Sequence, residues 1–244
     1  MAGEFGSMYV GQNESVFANK LLGYLQEADY RISNSPDENQ AIFKLRYDAY
    51  LNEGAIEKNS TGLLTDNYDQ MENCWNFGIY INGVLSSALR CHLISKEFPM
   101  GPAYDFFPDV IRPLVEEGKV LVDPTRFVAN KDIAATYPEI PYMTLRAACM
   151  TYDHFDADYC LASVRKEHRA FYRRVFRADE LCDPRPYPPL TVQLGLMSTN
   201  VSSFRSKLLR RYPIFESSYT ERRLLFGSQP ANQLSTDQTK SVKQ

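Results

Sequence analysis

A handful of charged side chains in this sequence have the types and spacing to do chemistry. Arg46 and Tyr50 lie four residues apart in Phe-Lys-Leu-Arg-Tyr-Asp-Ala-Tyr (43–50), a spacing that puts both on one helical face beside Leu45 or Ala49. An arginine on that otherwise apolar face can bind a carboxylate through two parallel hydrogen bonds, or it can be held in a salt bridge by Asp66, Asp69 or Asp123. Asp66 and Asp69, in Leu-Leu-Thr-Asp-Asn-Tyr-Asp-Gln (63–70), can hold an amino group or relay its proton through water, although paired loop aspartates are equally ordinary turn residues. Arg90 alternates with Ala88 and His92 along an apolar run. In Val-Leu-Val-Asp-Pro-Thr-Arg-Phe-Val (120–128), Asp123 precedes a proline, as a strand-end turn residue also would. Arg126, followed by the apolar Phe127, is either buried and paired or open to a cleft.

Other chemistries find little support. Five cysteines (Cys74, Cys91, Cys149, Cys160, Cys182) form no Cys-x-x-Cys pair, and three histidines (His92, His154, His168) show neither His-Glu-x-x-His nor His-x-x-x-His spacing. Neither a metal site nor a disulfide framework is expected, and the cysteines read as reduced core thiols. Hydrophobic residues make up 44% and charged residues 23% of 244, a globular composition with no apolar run of about 18 residues, so no membrane span is expected, with peripheral association left open. A formal charge of −3 argues against a general nucleic-acid binder. No basic-then-apolar leader is present, which makes the cytoplasm the expected location.

These residues need elements to position them. Phe17, Leu21, Leu22 and Leu25 recur at helical intervals within 14–28, and 30–34 reads as a short strand. Ser35-Pro36-Asp37-Glu38 combines an N-cap, a proline at the first helical position and an acid in the first turn, so a helix runs from 36 to about 53, with Gly54 as its stop. Asn82-Gly83 between two apolar runs marks a tight antiparallel hairpin. Residues 95–107 read as loop, 108–117 as a short helix, and 119–129 as a strand whose Pro124 implies a bulge or an edge. A helix (140–155), a strand (156–165), a helix (168–176), a strand (188–198) entered through a proline-rich turn, and helical sequence from an Asn200/Ser202 cap to 226 complete the order. Residues 1–7 precede a second methionine, and Glu-Phe-Gly-Ser is what two adjoining restriction sites encode, so they are expected to be a cloning scar. One domain over 8–226 is expected, followed by a polar, disordered tail over 227–244.

That order, together with Arg46, Asp66, Asp69, Arg90, Asp123, Arg126 and Phe127, resembles the acyl-homoserine-lactone (autoinducer) synthases and, more closely, the N-acyl amino acid synthases of the FeeM type. The latter read Leu-Arg-Tyr and Asp-x-Thr-Arg-Phe-Val at the corresponding points. The resemblance covers about residues 30–200. It implies an α/β (α+β) fold of the GNAT kind, a three-layer αβα sandwich around a mixed, largely antiparallel sheet. Two features depart from the autoinducer synthases, which usually have glutamate where Asp123 stands and a tryptophan soon after the helix aromatic. Most GNAT acetyltransferases also carry a glycine-rich turn that cradles the coenzyme A pyrophosphate, and Arg-Phe-Val-Ala-Asn-Lys (126–131) has none.

The resemblance implies an N-acyltransferase that moves a fatty acyl group from a thioester to the amine of an amino acid or similar small molecule. Arg46, Tyr50, Asp66, Asp69, Arg90 and Phe127 would bind substrate. Asp123, Arg126 and Tyr172 would be catalytic, Tyr172 standing where GNAT enzymes place a tyrosine that protonates the leaving thiolate. No bound cofactor is implied; the co-substrate would be an acyl-phosphopantetheine thioester, on an acyl carrier protein or possibly on coenzyme A. Residues 165–177 carry a net +5 and 205–223 a net +4. Arg165, Lys166, Arg169, Arg173 and Arg174 would therefore suit an acidic carrier protein, the alternative being solvated helix faces. Homoserine-lactone synthesis and a non-catalytic acyl-binding module remain the other readings.

Overall fold

The computed structural model describes residues 16–227; the cloning scar expected at 1–7 and the tail expected beyond 227 lie outside the described residues. Residues 16–24 are helical (α1). There follow β1 (Ala28–Ile32), α2 (Pro36–Asn52), β2 (Cys74–Ile81), β3 (Val84–Ile94), α3 (Pro102–Phe106), α4 (Pro108–Glu116), β4 (Leu121–Ala129), α5 (Lys131–Thr136) and α6 (Ile140–His154). Then come β5 (Tyr159–Val164), α7 (Arg169–Phe176), β6 (Asp179–Pro186), β7 (Gln193–Asn200), α8 (Val201–Arg211) and α9 (Tyr219–Gly227). The strands form one sheet in the order β1-β2-β3-β4-β5-β7-β6, antiparallel except where β4 and β5 run parallel.

Local chemistry sets the boundaries. Ser35 Oγ accepts the Glu38 amide at the N-terminus of α2, with Pro36 in the first turn, satisfying a donor that would otherwise be orphaned. The β2–β3 hairpin turns through Asn82 and Gly83 at φ of 51° and 78°, the left-handed pair that matches the twist of the flanking strands. α6 is buried over nearly its whole length, from Met143 to Tyr152, and packs on the face of β2–β4 that carries Phe77, Leu89, Cys91 and Val122. α2 covers the opposite face through Ile42, which meets Ala88 and Val128.

Pro124 is the point at which the sheet opens. β4 pairs with β5 only at Leu121↔Tyr159 and Val122↔Cys160, after which the strands part. On its other edge, β4 pairs with β3 at Thr125↔Arg90 and Val128↔Ala88, so Arg126 and Phe127 together face Leu89. That extra residue is a β-bulge, and Arg126 takes φ of 54° within it. The proline thus marks a bulge in a central strand, not an edge.

Three expectations shift. The region expected to be a proline-rich turn contains β6, an edge strand whose residues are mostly exposed or half-buried. The stretch 95–107 contains the five-residue α3, and 131–136 forms α5 from an Asn130 cap. β1 lies at 28–32, two residues earlier than expected.

Candidate active site

On the α2 face of the sheet, three arginines and two aspartates are locked together. Arg46, fully buried on α2, donates from Nη1 to Asp69 Oδ1 (2.6 Å) and from Nη2 to Asn76 Oδ1 on β2 (2.6 Å). Arg90 on β3 donates to Asp66 Oδ1 (2.5 Å) and to Thr125 Oγ1 on β4 (3.0 Å), and lies 3.0 Å from Asp69. Arg126 reaches from the bulge to Asp66 Oδ2 (2.7 Å). The aspartates share a short 3-10 turn in which Asp66 and Asp69 cap each other's backbone amides. Burial alone would raise both carboxyls, but the guanidinium groups of Arg46 and Arg90 hold Asp69 well below the usual range, and those of Arg90 and Arg126 hold Asp66 down.

The bulge explains why Arg126 belongs to this group. In a regular pleat Thr125 and Arg126 point to opposite faces, yet here both reach partners in one network.

Asp123 and His92 face each other across β4 and β3 on the same side. Asp123 Oδ2 accepts the Ala103 amide from α3 (2.9 Å), while Oδ1 is buried without a partner among the described residues; burial pushes the carboxyl up to about 6. His92 donates from Nε2 to the Tyr68 carbonyl (3.0 Å), and burial, reinforced by Arg90, pushes its imidazole down to about 3. It is therefore neutral.

Where β4 and β5 part there is a cavity of about 770 Å³. Arg126, Phe127 and Pro124 line it from β4, Cys160 and Ala162 from β5, and Tyr172 from α7. Tyr50 also reaches it, its ring 5.7 Å from the Arg126 guanidinium. Burial pushes the Tyr172 phenol well up, so its hydroxyl keeps its proton at neutral pH. Of the residues singled out in the sequence, Arg126, Phe127, Tyr50, Tyr172 and Arg165 border the cavity. Arg46, Asp66, Asp69, Arg90 and Asp123 do not; they sit behind β4 on the α2 side.

The basic segment is largely paired. Arg165 meets Glu53, while Arg169 (2.9 Å) and Arg173 both reach Glu180 on β6. Lys166 and Arg174 are exposed. Sequence reasoning passed over Asn76, Thr125 and Glu53. The first two hold guanidinium groups, and the third lies at the cavity mouth. Asn76 and Thr125 could have been found by strand register, since both sit level with Arg90.

The fold as a whole is similar to those of solved acyltransferases. The structure of FeeM, an N-acyl amino acid synthase from uncultured soil microbes, matches with a TM-score of 0.63 at 16% identity, covering 75% of this chain and 96% of that one. BjaI, a CoA-dependent acyl-homoserine lactone synthase, gives 0.55 at 14%, covering 73% and 83%. The AHL synthase LasI gives 0.55 at 11%, covering 82% and 95%. The fold is thus the GNAT-like acyltransferase fold expected from the sequence.

By sequence, the family model of the N-acyl amino acid synthase FeeM matches residues 41–200. The chain belongs to that family and is an N-acyltransferase. No curated protein matches it by sequence. Among the described residues no helix is long and apolar enough to cross a membrane.

Proposed function

We propose that this N-acyltransferase moves a fatty acyl group from the phosphopantetheine thioester of an acyl carrier protein to the amine of an amino acid or similar small molecule. The observation that carries this reading is the cavity between β4 and β5, whose apolar lining (Leu145, Ala148, Ala162, Phe204, Leu208) suits an alkyl chain and whose bulged wall borders the place where the thioester would lie.

In the reaction the amine nitrogen attacks the thioester carbonyl, a C–N bond forms, the C–S bond breaks, and the proton lost by nitrogen is balanced by one gained by the thiolate. The acceptor's α-amino group is largely protonated at neutral pH and must give up a proton before it attacks, to water or to a carboxylate acting through water. Charge on the carbonyl oxygen is the harder problem, and backbone amides at the 124–127 bulge are the proposed donors. The buried network of Arg46, Asp69, Arg90 and Asp66 is proposed to hold the bulge in place, with its partners Thr125 and Arg126 also bordering the cavity. Tyr172 would give the thiolate its proton, and Asp123 would fix β4 against α3. With no glycine-rich turn after Phe127, a carrier protein is the proposed donor, docking on the side of Lys166 and Arg174, and the cytoplasm the proposed location.

Mass spectrometry of lipid extracts from cells overexpressing the chain tests the reading. N-acyl amino acids are the expected product. Acyl lactones would transfer the chain to the autoinducer chemistry, and an unchanged lipid profile would favour a binding module.

A further inference from the structure

Tyr187, in the segment between β6 and β7, lines the cavity beside Tyr50, Pro124 and Arg126. Only 3% of the residue is exposed, and its hydroxyl has no hydrogen-bond partner among the described residues. A buried tyrosine ordinarily pairs its O–H, so an unpaired one at a cavity wall is a donor free for a ligand. The ring is held in place. Phe106 packs on it at 4.3 Å and Phe107 at 6.3 Å between centroids, and the Tyr187 carbonyl accepts the Leu190 amide (3.0 Å). Burial pushes the phenol well above its ordinary value, Asp123 adding to the shift and Arg126 and Arg90 opposing it. The group is therefore neutral and keeps its proton at neutral pH.

Two features of the strands say what such a donor can do. Leu161 and Leu196 pack with Tyr187, whereas Ala162 and Met197 pack with Tyr172. Adjacent residues of a strand point to opposite faces, so the two tyrosines approach the gap between β4 and β5 from opposite sides of the sheet. Pro124, just past the last rung that β4 shares with β5, has no N–H. The bulged wall of the cavity thus offers one backbone donor fewer than an ordinary strand would.

We infer that Tyr187 is a catalytic residue whose O–H donates to the thioester carbonyl oxygen as that oxygen becomes an oxyanion, supplementing a wall from which Pro124 removes an amide. As the C–N bond forms, the carbonyl electron pair moves onto oxygen, where the phenol and the bulge amides hold it. The pair returns when the C–S bond breaks, and Tyr187 keeps its proton throughout. Its role is thereby distinct from that proposed for Tyr172, which gives its proton away. A fixed neutral donor in an apolar slot interacts more strongly with the charged intermediate than with the neutral thioester, which is the difference that raises a rate. This inference rests on the thioester lying at the gap, as proposed above.

Tyr187→Phe, made in the full chain, removes the hydroxyl and keeps the ring. Because that hydroxyl has no protein partner, Tm should stay the same or rise slightly. With decanoyl acyl carrier protein or decanoyl-coenzyme A as donor and amino acids as acceptors, kcat should fall roughly 100-fold, the usual cost of one oxyanion donor. KM for donor and acceptor should stay within about threefold. A fall in kcat of less than about tenfold, or a loss carried by KM instead, overturns the assignment. So does a drop in Tm of more than about 3 °C, which would make the hydroxyl a structural partner of Asp123, whose Oδ1 is also unpaired among the described residues. Calorimetry with decylphosphonate, a tetrahedral anion on an alkyl chain, separates this failure from that of the acyltransferase reading. Wild type should bind it at least about tenfold more tightly than Tyr187→Phe does, whereas neutral decanol should bind both alike. That difference supports the donor even if no acyl product forms. Equal affinity of the two proteins for decylphosphonate, or no binding to wild type, refutes it.

Discussion

The two sides of β4 differ in how they use charge. On the α2 side, Arg46, Arg90, Asp66 and Asp69 are buried or nearly so, tied together at 2.5 to 3.0 Å. On the other side, a wide cavity has a largely apolar lining in which Glu53, Arg126, Lys131, Arg165 and Arg205 are separate charged side chains and not one cluster. Read as sequence, the charged set has the character of a catalytic centre and the cavity lining that of ordinary core. The contrast teaches that clustered arginines and aspartates can be the frame that aims a strand, while the proposed place of reaction is an apolar slot. Low polarity in the slot makes each dipole that does face the substrate count for more.

The largest effect expected from this contrast is on folding. Arg90→Met leaves Asp66 and Asp69 short of a partner in a dry setting, and losing one side of a buried pair costs about 3–5 kcal/mol. Urea unfolding should show that loss; a change below about 1 kcal/mol would mean that the network is not a frame. Arg126→Lys sharpens the comparison because it touches both sides. Lysine keeps the charge but loses the planar fork, so acyl transfer should fall about 100-fold while the melting temperature moves by a few degrees at most. Collapse of the fold instead would place Arg126 wholly with the frame.

Asp123 predicts a pH signature. Its folded pKa of about 6 lies above the ordinary 3.8, so the folded state binds this proton more tightly than the unfolded chain does. Below about pH 4 the carboxyl is neutral in both states and costs nothing. Between pH 4 and 6 stability is lost because the carboxyl ionises in the unfolded chain while the buried one keeps its proton, and above 6, where both are ionised, the penalty is constant at about 3 kcal/mol. Asp123→Asn should therefore be more stable than wild type at pH 7.5 by up to that amount, the difference fading toward pH 4. A constant difference across that range would show that the carboxylate is stabilised by something other than the Ala103 amide.

The smallest effect concerns the outer surface. Acyl carrier protein should exceed acyl-coenzyme A in kcat/KM with the acyl chain and acceptor held the same, and the advantage should shrink with salt, since steering is screened over about 8 Å at 0.15 M. Lys166→Glu with Arg174→Glu should raise KM for the carrier several-fold. Arg173 is a weaker probe because Glu180 already pairs with it. Equal use of coenzyme A, insensitive to salt, would return these residues to solvated helix faces.

Much of the frame was legible because its signals are local. Ser35-Pro36 starts α2 and Asn82-Gly83 turns the hairpin within a few residues of chain, and both stand as expected. The bulge was half legible. Pro124 announced an irregularity, but nothing in Thr-Arg-Phe says that Arg126 adopts a left-handed backbone, a conformation usually left to glycine or asparagine. β6 was missed because Asp-Glu-Leu-Cys-Asp-Pro-Arg-Pro (179–186) lacks alternation and carries two prolines, which only an edge strand tolerates. Partners separated by long stretches of chain were illegible for a different reason. Arg46 with Asn76, and Arg165 with Glu53, meet only once the sheet is assembled, and a glutamate at a helix end reads as solvent-facing until its partner is known.

The two-rung contact between β4 and β5 has one further implication. The sheet is in effect two leaves, β1–β4 and β5–β7–β6, stitched at Leu121 and Val122 and clasped by α6. Since no ladder hydrogen bonds cross the gap beyond the stitch, widening or narrowing it breaks none. If the cavity takes the acyl chain as proposed, substitution at Ala148 or Ala162, both in its lining, retunes the length of chain admitted with little penalty to the strands themselves.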